Sequence, residues 1–149
     1  MYPIDYFIFI KVHSKYFIMN LAIQKTHKLI NNQLCGTPIE LNEDFATIKL
    51  ITDSNMITDE TGLIHGGFLF SLADYAAMLA VNHPNVVLGG ANVKFIKPVV
   101  EGQILIAKAK LDKKEGIKII VKVEIFRKNE QVFFGEFFCF TPEKHVLKN

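Results

Sequence analysis

Three residue types in one short stretch could do chemistry together: a Gly-Gly pair, a serine and an aspartate. They lie in His65-Gly66-Gly67-Phe68-Leu69-Phe70-Ser71-Leu72-Ala73-Asp74. From Gly66 to Asn82 the run is apolar on nearly every side, which marks a helix buried on nearly every side. The first N–H groups of a helix have no partner within it, and the helix dipole adds positive character there. Glycines leave those groups unshielded, so an oxygen can come close. Such a site suits a carbonyl that becomes an oxyanion during acyl transfer. A tight loop-to-helix turn would use the same two glycines. Asp74 conflicts with a buried helix, because burying an unpaired charge is costly or forces a pKa shift. It is either an acid satisfied by a neighbouring hydroxyl or backbone group, or a poised carboxylate. In the second case it acts on water as general base, or as nucleophile. Ser71 lies three residues before it, on the same helix face.

Spacing adds a demand. Asp74 is seven residues beyond Gly67, about 10 Å along the axis at roughly 1.5 Å per residue. It does not reach a carbonyl held at its own helix start. If both groups serve one reaction, Asp74 comes from a second copy of the helix. That requires a two-fold homodimer in which each acid faces the other chain's Gly-Gly turn.

The elements around this stretch follow in chain order. Residues 1–19 read as an N-terminal extension, apolar but interrupted by Asp5, Lys11 and Lys15. They lack the basic start and small-residue cleavage site of a secretory signal. Either the natural start lies near Met19, or the extension packs on the domain or a partner. Residues 20–149 then form one domain. Asn20 to Leu34 has helical spacing, with Asn20 as cap and Cys35-Gly36-Thr37-Pro38 as stop. Ile39–Leu41 and Ala46–Ile51 read as strands. Asp53-Ser54-Asn55 opens a turn, and the stretch to Gly62 is loop. The apolar helix ends at Asn82-His83-Pro84.

Four strand-like runs follow. The first, Val86 to Val99, carries Gly89-Gly90, which signals a bulge or close backbone approach. Gln103–Leu111, Ile117–Arg127 and Gln131–Phe140 are the others. In the third run Ile117, Ile119, Val121, Val123 and Ile125 share one face. Strands on both sides of a single core helix argue for an α+β domain, with an antiparallel sheet wrapped around that helix.

Composition excludes several classes. The net charge of +2 is too small to argue for nucleic acid. It is uneven: ten Lys or Arg against four Asp or Glu lie between Lys94 and Lys128. Cys35 and Cys139 form no C-x-x-C, and no two histidines stand at H-x-x-x-H spacing, so no metal site is expected. Two cysteines suit a reducing compartment, which points to the cytoplasm. The uncharged window from Tyr75 to Val93 is broken by Asn82-His83-Pro84-Asn85 and Gly89-Gly90, so no membrane span is expected.

At this point a family likeness becomes visible. His65-Gly66-Gly67, then Phe70-Ser71-Leu72-Ala73-Asp74 and a small-residue run to Asn82, resemble the signature of hotdog-fold acyl-CoA thioesterases of the phenylacetate-pathway type. Asn92-Val93-Lys94-Phe95-Ile96-Lys97-Pro98-Val99 and Gly102 resemble the strand and turn that follow. The likeness spans roughly residues 20–142.

The resemblance implies a hotdog fold, a dimer often paired into tetramers, and hydrolysis of an acyl-CoA thioester with no cofactor beyond the substrate's coenzyme A. By position it implies Asp74 as catalytic carboxylate and the Gly67 N–H, with that of Gly66, on the thioester carbonyl. His65 would shape the turn or contact the carbonyl region. Ser71 would orient water or Asp74.

One departure stands out. Six residues before the His the family commonly has Asn, and here the residue is Asp59. Asp cannot donate a hydrogen bond unless protonated. Either the chemistry differs there, or Asp59 faces solvent and Glu60 or Thr61 contributes. A medium-chain or aromatic acyl group would enter the gap between chains, lined by Phe68, Tyr75 and Met78. Lys94 or Lys97, or Lys113 and Lys114 on a turn, would meet the phosphates. Lys108, Lys110, Lys118 and Lys122 read as a solvated sheet face. The alternative is a non-catalytic acyl-CoA-binding or regulatory module of the same fold.

Overall fold

Alternation of side chains builds the sheet, because successive residues of a strand point to opposite faces. Ile119, Val121, Val123 and Ile125 turn inward from one strand and Phe133, Phe137 and Cys139 from its neighbour, all at most 4% exposed. The structure, a computed structural model, describes residues 6–12 and 15–148, and the burial of residues 21–148. Its strands are β1 (Tyr6–Val12), β2 (Lys15–Leu21), β3 (Thr37–Asn42), β4 (Phe45–Ile51), β5 (Val87–Phe95), β6 (Ile104–Glu115), β7 (Lys118–Arg127) and β8 (Glu130–Phe140). The helices are α1 (Asn32–Cys35) and α2 (Gly66–Val81), with a 3-10 turn at Ser54–Met56.

Six antiparallel strands run in the order β3-β4-β6-β7-β8-β5. The β1–β2 hairpin joins β3 through one parallel pairing, Leu21 with Leu41. Residues 1–5 and 13–14 of the expected extension lie outside the described residues. α2 crosses one face and touches β4, β6, β7 and β8. This is the hotdog arrangement. Ala73, Ala76, Ala77 and Ala80 of the helix and Ala46, Ala107 and Ala109 of the sheet are all buried. Small side chains on both surfaces let helix and sheet approach closely at interior packing density. Leu72 and Leu79 fill the remaining space at 0% exposure. Truncating either to Ala would cost about 2–5 kcal/mol.

The helix expected over Asn20–Leu34 is not there. Asn20 and Leu21 belong to β2, residues 22–31 hold no helix or strand, and only α1 is helical. The cap is Asn31, whose side chain accepts from the N–H groups of Gln33 and Leu34. The apolar spacing misled because Leu29 is 100% and Ile23 45% exposed, so no buried stripe exists. Other partners hold this backbone. Ala22 N–H donates to Leu41 O, Lys25 N–H to Asn82 Oδ1, and Asn82 Nδ2 to Ile23 O. His27 has a positive φ of 52°, which breaks any helix. Gly36 stops α1 as expected, with φ at 98°. A Cβ there would stand 2.7 Å from Ile48 Cγ2.

The central helix agrees with its expected bounds. Asn82 ends it in the left-handed conformation, its N–H donating to Met78 O at 2.9 Å. β5 carries the expected irregularity between Leu88 and Gly90. It stops at Phe95 rather than Val99, because Ile96 and Lys97 both turn their N–H groups onto Val132 O. Among the described residues β5 pairs only with β8, and its other edge has no partner strand.

Candidate active site

The loop before α2 is tied down on two sides. His65 N–H donates to Met56 O at 2.9 Å, and Ile64 N–H donates to Val99 O at 2.8 Å. Backbone alone makes the cap at His65, since its side chain makes no capping bond. The imidazole instead lies over Gly67 and meets Phe68 edge-on, with centroids 6.2 Å apart. A Cβ on Gly66 would stand 3.0 Å from Phe95 Cε1. Each glycine therefore has an aromatic ring against its Cα. The N–H groups of Gly66 and Gly67 lie in the first turn, with no acceptor inside the helix.

Asp74 lies in the middle of α2 and is half-buried. Its Oδ1 is buried and meets no hydrogen-bond donor. Burial raises its pKa to about 6. Cys139 lies close enough to feel the Asp74 charge. Its thiol is pushed up to about 12, first by burial and then by that charge, so it stays protonated. Ser71 does not satisfy the acid: its Oγ lies 3.1 Å from Cys35 Sγ. At 100° per residue, Ser71 and Asp74 are about 60° apart around the axis. That is enough to let the serine face α1 while the acid makes no such contact. The described chain thus keeps Gly67 and Asp74 on one stripe, about 10 Å apart along the axis.

Among the described residues, clefts of about 260 Å³ lie on two sides of α2. One lies at its first turn, between Ile64, Gly66 and Leu69 and the chain from Phe95 to Val99. Arg127 pins the far wall, donating to Pro98 O at 2.9 Å and to Gln103 Oε1 at 3.0 Å. Thr52 holds the same loop through Val100 O. The other cleft lies across the helix, where Tyr75 meets Gln24, Lys28 and Asn32.

The expected acyl-lining residues are dispersed. Phe68 is half-buried against the core, Met78 is 1% exposed and lines neither cleft, and Tyr75 lines only the second. Lys97 lines the first cleft. Lys94 pairs with Phe134 on the outer face of the sheet, away from α2. Lys108, Lys110 and Lys122 are exposed on that outer face, and Lys118 stands over the Phe138 ring. Asp59 is exposed in the loop. It accepts from Thr61 N–H at 2.9 Å and from the Thr61 hydroxyl at 2.5 Å. The hydroxyl bond is the main cause that holds its carboxyl below the usual range.

Sequence reasoning missed Cys35, Cys139 and Arg127 as neighbours of the site, and nothing in their local spacing signals them. Phe95 stood inside the N-V-K-F strand without a role. Among the described residues, no three His, Cys, Asp or Glu side chains stand close enough to hold a metal ion. No described helix is long and apolar enough to cross a membrane.

A family model described as the thioesterase superfamily matches residues 61–134, the span from the loop before the Gly-Gly turn into β8. The chain belongs to the thioesterase superfamily. Within this superfamily setting, a crystal structure of an uncharacterized protein from Pyrococcus horikoshii is 53% identical. It aligns over 85% of this chain and 98% of its own, with a TM-score of 0.84. The acyl-coenzyme A thioesterase PaaI of Escherichia coli is 29% identical over 77% of this chain and 89% of its own. The transcription factor FapR of Caldanaerobacter subterraneus is 29% identical over 84% of this chain. A methylthioribose-1-phosphate isomerase of Aquifex aeolicus is 54% identical over 76% of this chain. The chain spans only 25% of that isomerase and 63% of FapR.

Proposed function

We propose that this thioesterase-superfamily chain hydrolyses the thioester of a medium-chain or aromatic acyl-coenzyme A, working as a homodimer, with dimers pairing further. The carrying observation is Asp74 Oδ1, buried in the middle of α2 without a donor. A carboxylate left unpaired there is costly unless a substrate or water completes it. The thioester carbonyl rests on the N–H groups of Gly67 and Gly66. Asp74 of the partner copy takes a proton from water, and the resulting hydroxide attacks the carbonyl carbon. The oxyanion gathers charge against the helix start. Collapse expels the coenzyme A thiolate, which receives the proton from Asp74. Direct attack by the Asp74 carboxylate, followed by hydrolysis of the anhydride, uses the same groups.

The open β5 edge is where a second copy would bring its helix alongside. Lys97 at the cleft offers a cation to the phosphates of coenzyme A. His65 shapes the turn over Gly67, Ser71 braces α2 against Cys35, and Asp59 shapes the entry loop through Thr61. The reaction calls for no metal and no cofactor of its own. Two free cysteines suit the cytoplasm.

Release of free thiol from a panel of acyl-coenzyme A substrates tests this. Turnover that Asp74→Ala abolishes supports it, and turnover unchanged in Asp74→Ala defeats the mechanism. One observation favours a second reading, a non-catalytic acyl-CoA-binding regulatory module: a relative covering 84% of this chain is a transcription factor. Tight binding of acyl-coenzyme A without any thiol release would select it.

A further inference from the structure

We propose that the cleft beside β3, where Tyr75 meets Gln24, Lys28 and Asn32, is a second ligand site, and that it takes a free α-amino acid with a small apolar side chain. It stands apart from the chemistry of Gly66, Gly67 and Asp74. Leu21 of β2 and Leu41 of β3 line it, whereas β5 ends the strand order on the other side. A second copy alongside β5 therefore lies at the opposite edge of the sheet.

The wall of this cleft is preformed. Residues 22–31 hold no helix or strand, yet distant partners tie their backbone. Ala22 N–H donates to Leu41 O and Lys25 N–H to Asn82 Oδ1, while Asn82 Nδ2 donates to Ile23 O. His27, with φ at 52°, turns the chain between Gln24 and Lys28, and both line the cleft. Binding groups are often carried on such irregular segments when a rigid scaffold positions them.

The polar groups divide by what they can bind. Tyr75 is 2% exposed, and its Oη accepts from Gln24 Nε2 at a long 3.4 Å. Its own proton is left to donate. Lys28 is exposed, and among the described residues it enters no ion pair. No acidic side chain among the described residues lines the cleft. Tyr75 and Lys28 together suit a carboxylate. The two amides offer the reverse. Gln24 Nε2 also donates to Thr26 O at 2.8 Å, and Asn32 Nδ2 donates to Gly36 O at 2.8 Å. Those bonds leave Oε1 of Gln24 and Oδ1 of Asn32 as acceptors, which suit an ammonium. Leu21, Pro38 and Leu41 supply an apolar wall. A carboxylate, an ammonium and an apolar body in one small molecule describe an amino acid.

Size narrows the choice. A water-sized group occupies about 30 Å³ of liquid volume, so a space of about 260 Å³ holds roughly eight or nine such groups. That fits valine, leucine, isoleucine or methionine as free amino acids and is too small for tryptophan.

Calorimetry on the full chain tests this with three probes. They are L-leucine, 4-methylpentanoate, which lacks the ammonium, and leucinamide, which lacks the carboxylate. The proteins are wild type, Lys28→Gln, Tyr75→Phe and Phe95→Ala, each checked for folding by circular dichroism. Wild type should bind L-leucine saturably. Each of the other two probes loses a hydrogen-bonded charge and should bind roughly tenfold weaker or more. Lys28→Gln and Tyr75→Phe should each weaken L-leucine about tenfold and leave leucinamide within about twofold. Phe95→Ala alters the other cleft and should leave L-leucine affinity unchanged. Lys28 is exposed, so its variant carries the test if Tyr75→Phe does not fold.

No saturable binding of L-leucine, valine, isoleucine or methionine by folded wild type overturns the proposal. So does L-leucine affinity that neither Lys28→Gln nor Tyr75→Phe changes. Affinity lost in Phe95→Ala alone places the amino acid in the first cleft and overturns it as well. Equal affinity for L-leucine and 4-methylpentanoate overturns the amino acid in favour of a simple carboxylate. Thioester hydrolysis is read separately, by the Asp74→Ala assay, and stands or falls on that result.

Discussion

The imidazole of His65 lies on Gly67: a Cβ built on the glycine would stand 3.0 Å from both Cδ2 and Nε2. A ring that close shields one side of the first helical turn. Gly67→Ala should therefore push the ring and crowd the carbonyl site. We predict a tenfold to hundredfold loss in kcat/KM. In stability the change should be near zero, since the helix propensity of alanine, worth up to about 1 kcal/mol, offsets the crowding. In a His65→Ala background the same substitution should become stabilising by ~0.5–1 kcal/mol, measured by thermal melts.

Asp74 should govern the acid limb of activity. Its pKa is raised to about 6 by burial, and a general base acts only when deprotonated. The rate of thioester hydrolysis, as kcat/KM, should climb through pH 6 and level off above pH 7. Without the shift the limb would lie near the ordinary carboxylate value of 3.8. Asp74→Ala should lose about 10²–10⁴ in rate. A flat profile between pH 5 and 7 would contradict the assignment.

The same acid should weaken the fold. The folded state holds the Asp74 proton up to about pH 6, whereas the unfolded state releases it near 3.8. The ionised group therefore destabilises the fold above about pH 6, partly so between the two values, and not at all below 3.8. Asp74→Asn should raise stability by ~1–2 kcal/mol at pH 8, and the gain should vanish near pH 3.5. Urea unfolding at the two pH values reads this out. Functional sites commonly carry such a cost.

A site shared between copies makes a quantitative demand. In a mixed dimer of Asp74→Asn and Gly67→Val, one site has both its glycine and its acid intact and the other has neither. Co-expression of the two inactive variants should restore about a quarter of wild-type activity, because half the dimers are mixed and each carries one intact site. Recovery at background level would place both groups in one chain.

Asp59 makes a turn with Thr61 through the Thr61 N–H and hydroxyl. Asparagine can accept the same bonds through its amide oxygen. Asp59→Asn should change stability by less than about 0.5 kcal/mol and kcat/KM by less than threefold. A large rise in rate would give the side chain a direct part in the chemistry.

Much of this protein was legible because local rules and global packing agree. The apolar run from Gly66 to Asn82 had one outcome, a buried helix stopped by Asn82 and Pro84, and its bounds emerged directly. Alternation in Ile117–Arg127 marked Ile119, Val121, Val123 and Ile125 as the core face of β7, whereas Ile117 lies before the strand and is 55% exposed. The Gly-Gly-to-Asp spacing, at roughly 1.5 Å per residue, already set Gly67 and Asp74 about 10 Å apart.

Tertiary structure decided what distant segments do to one another. Residues 22–31 carry a helical apolar pattern, yet Asn82 and β3 capture their backbone, and Leu29 is left fully exposed. Ser71 and Asp74 share a face by spacing, but the approach of Cys35 claims the serine and leaves the acid unsatisfied. Phe95 and Gly66 are far apart in sequence. Only the pairing of β5 with β8 brings the ring onto the glycine and gives the cleft its wall. Spacing along one helix is fixed by covalent geometry, whereas the partner of a side chain depends on where every other segment comes to rest.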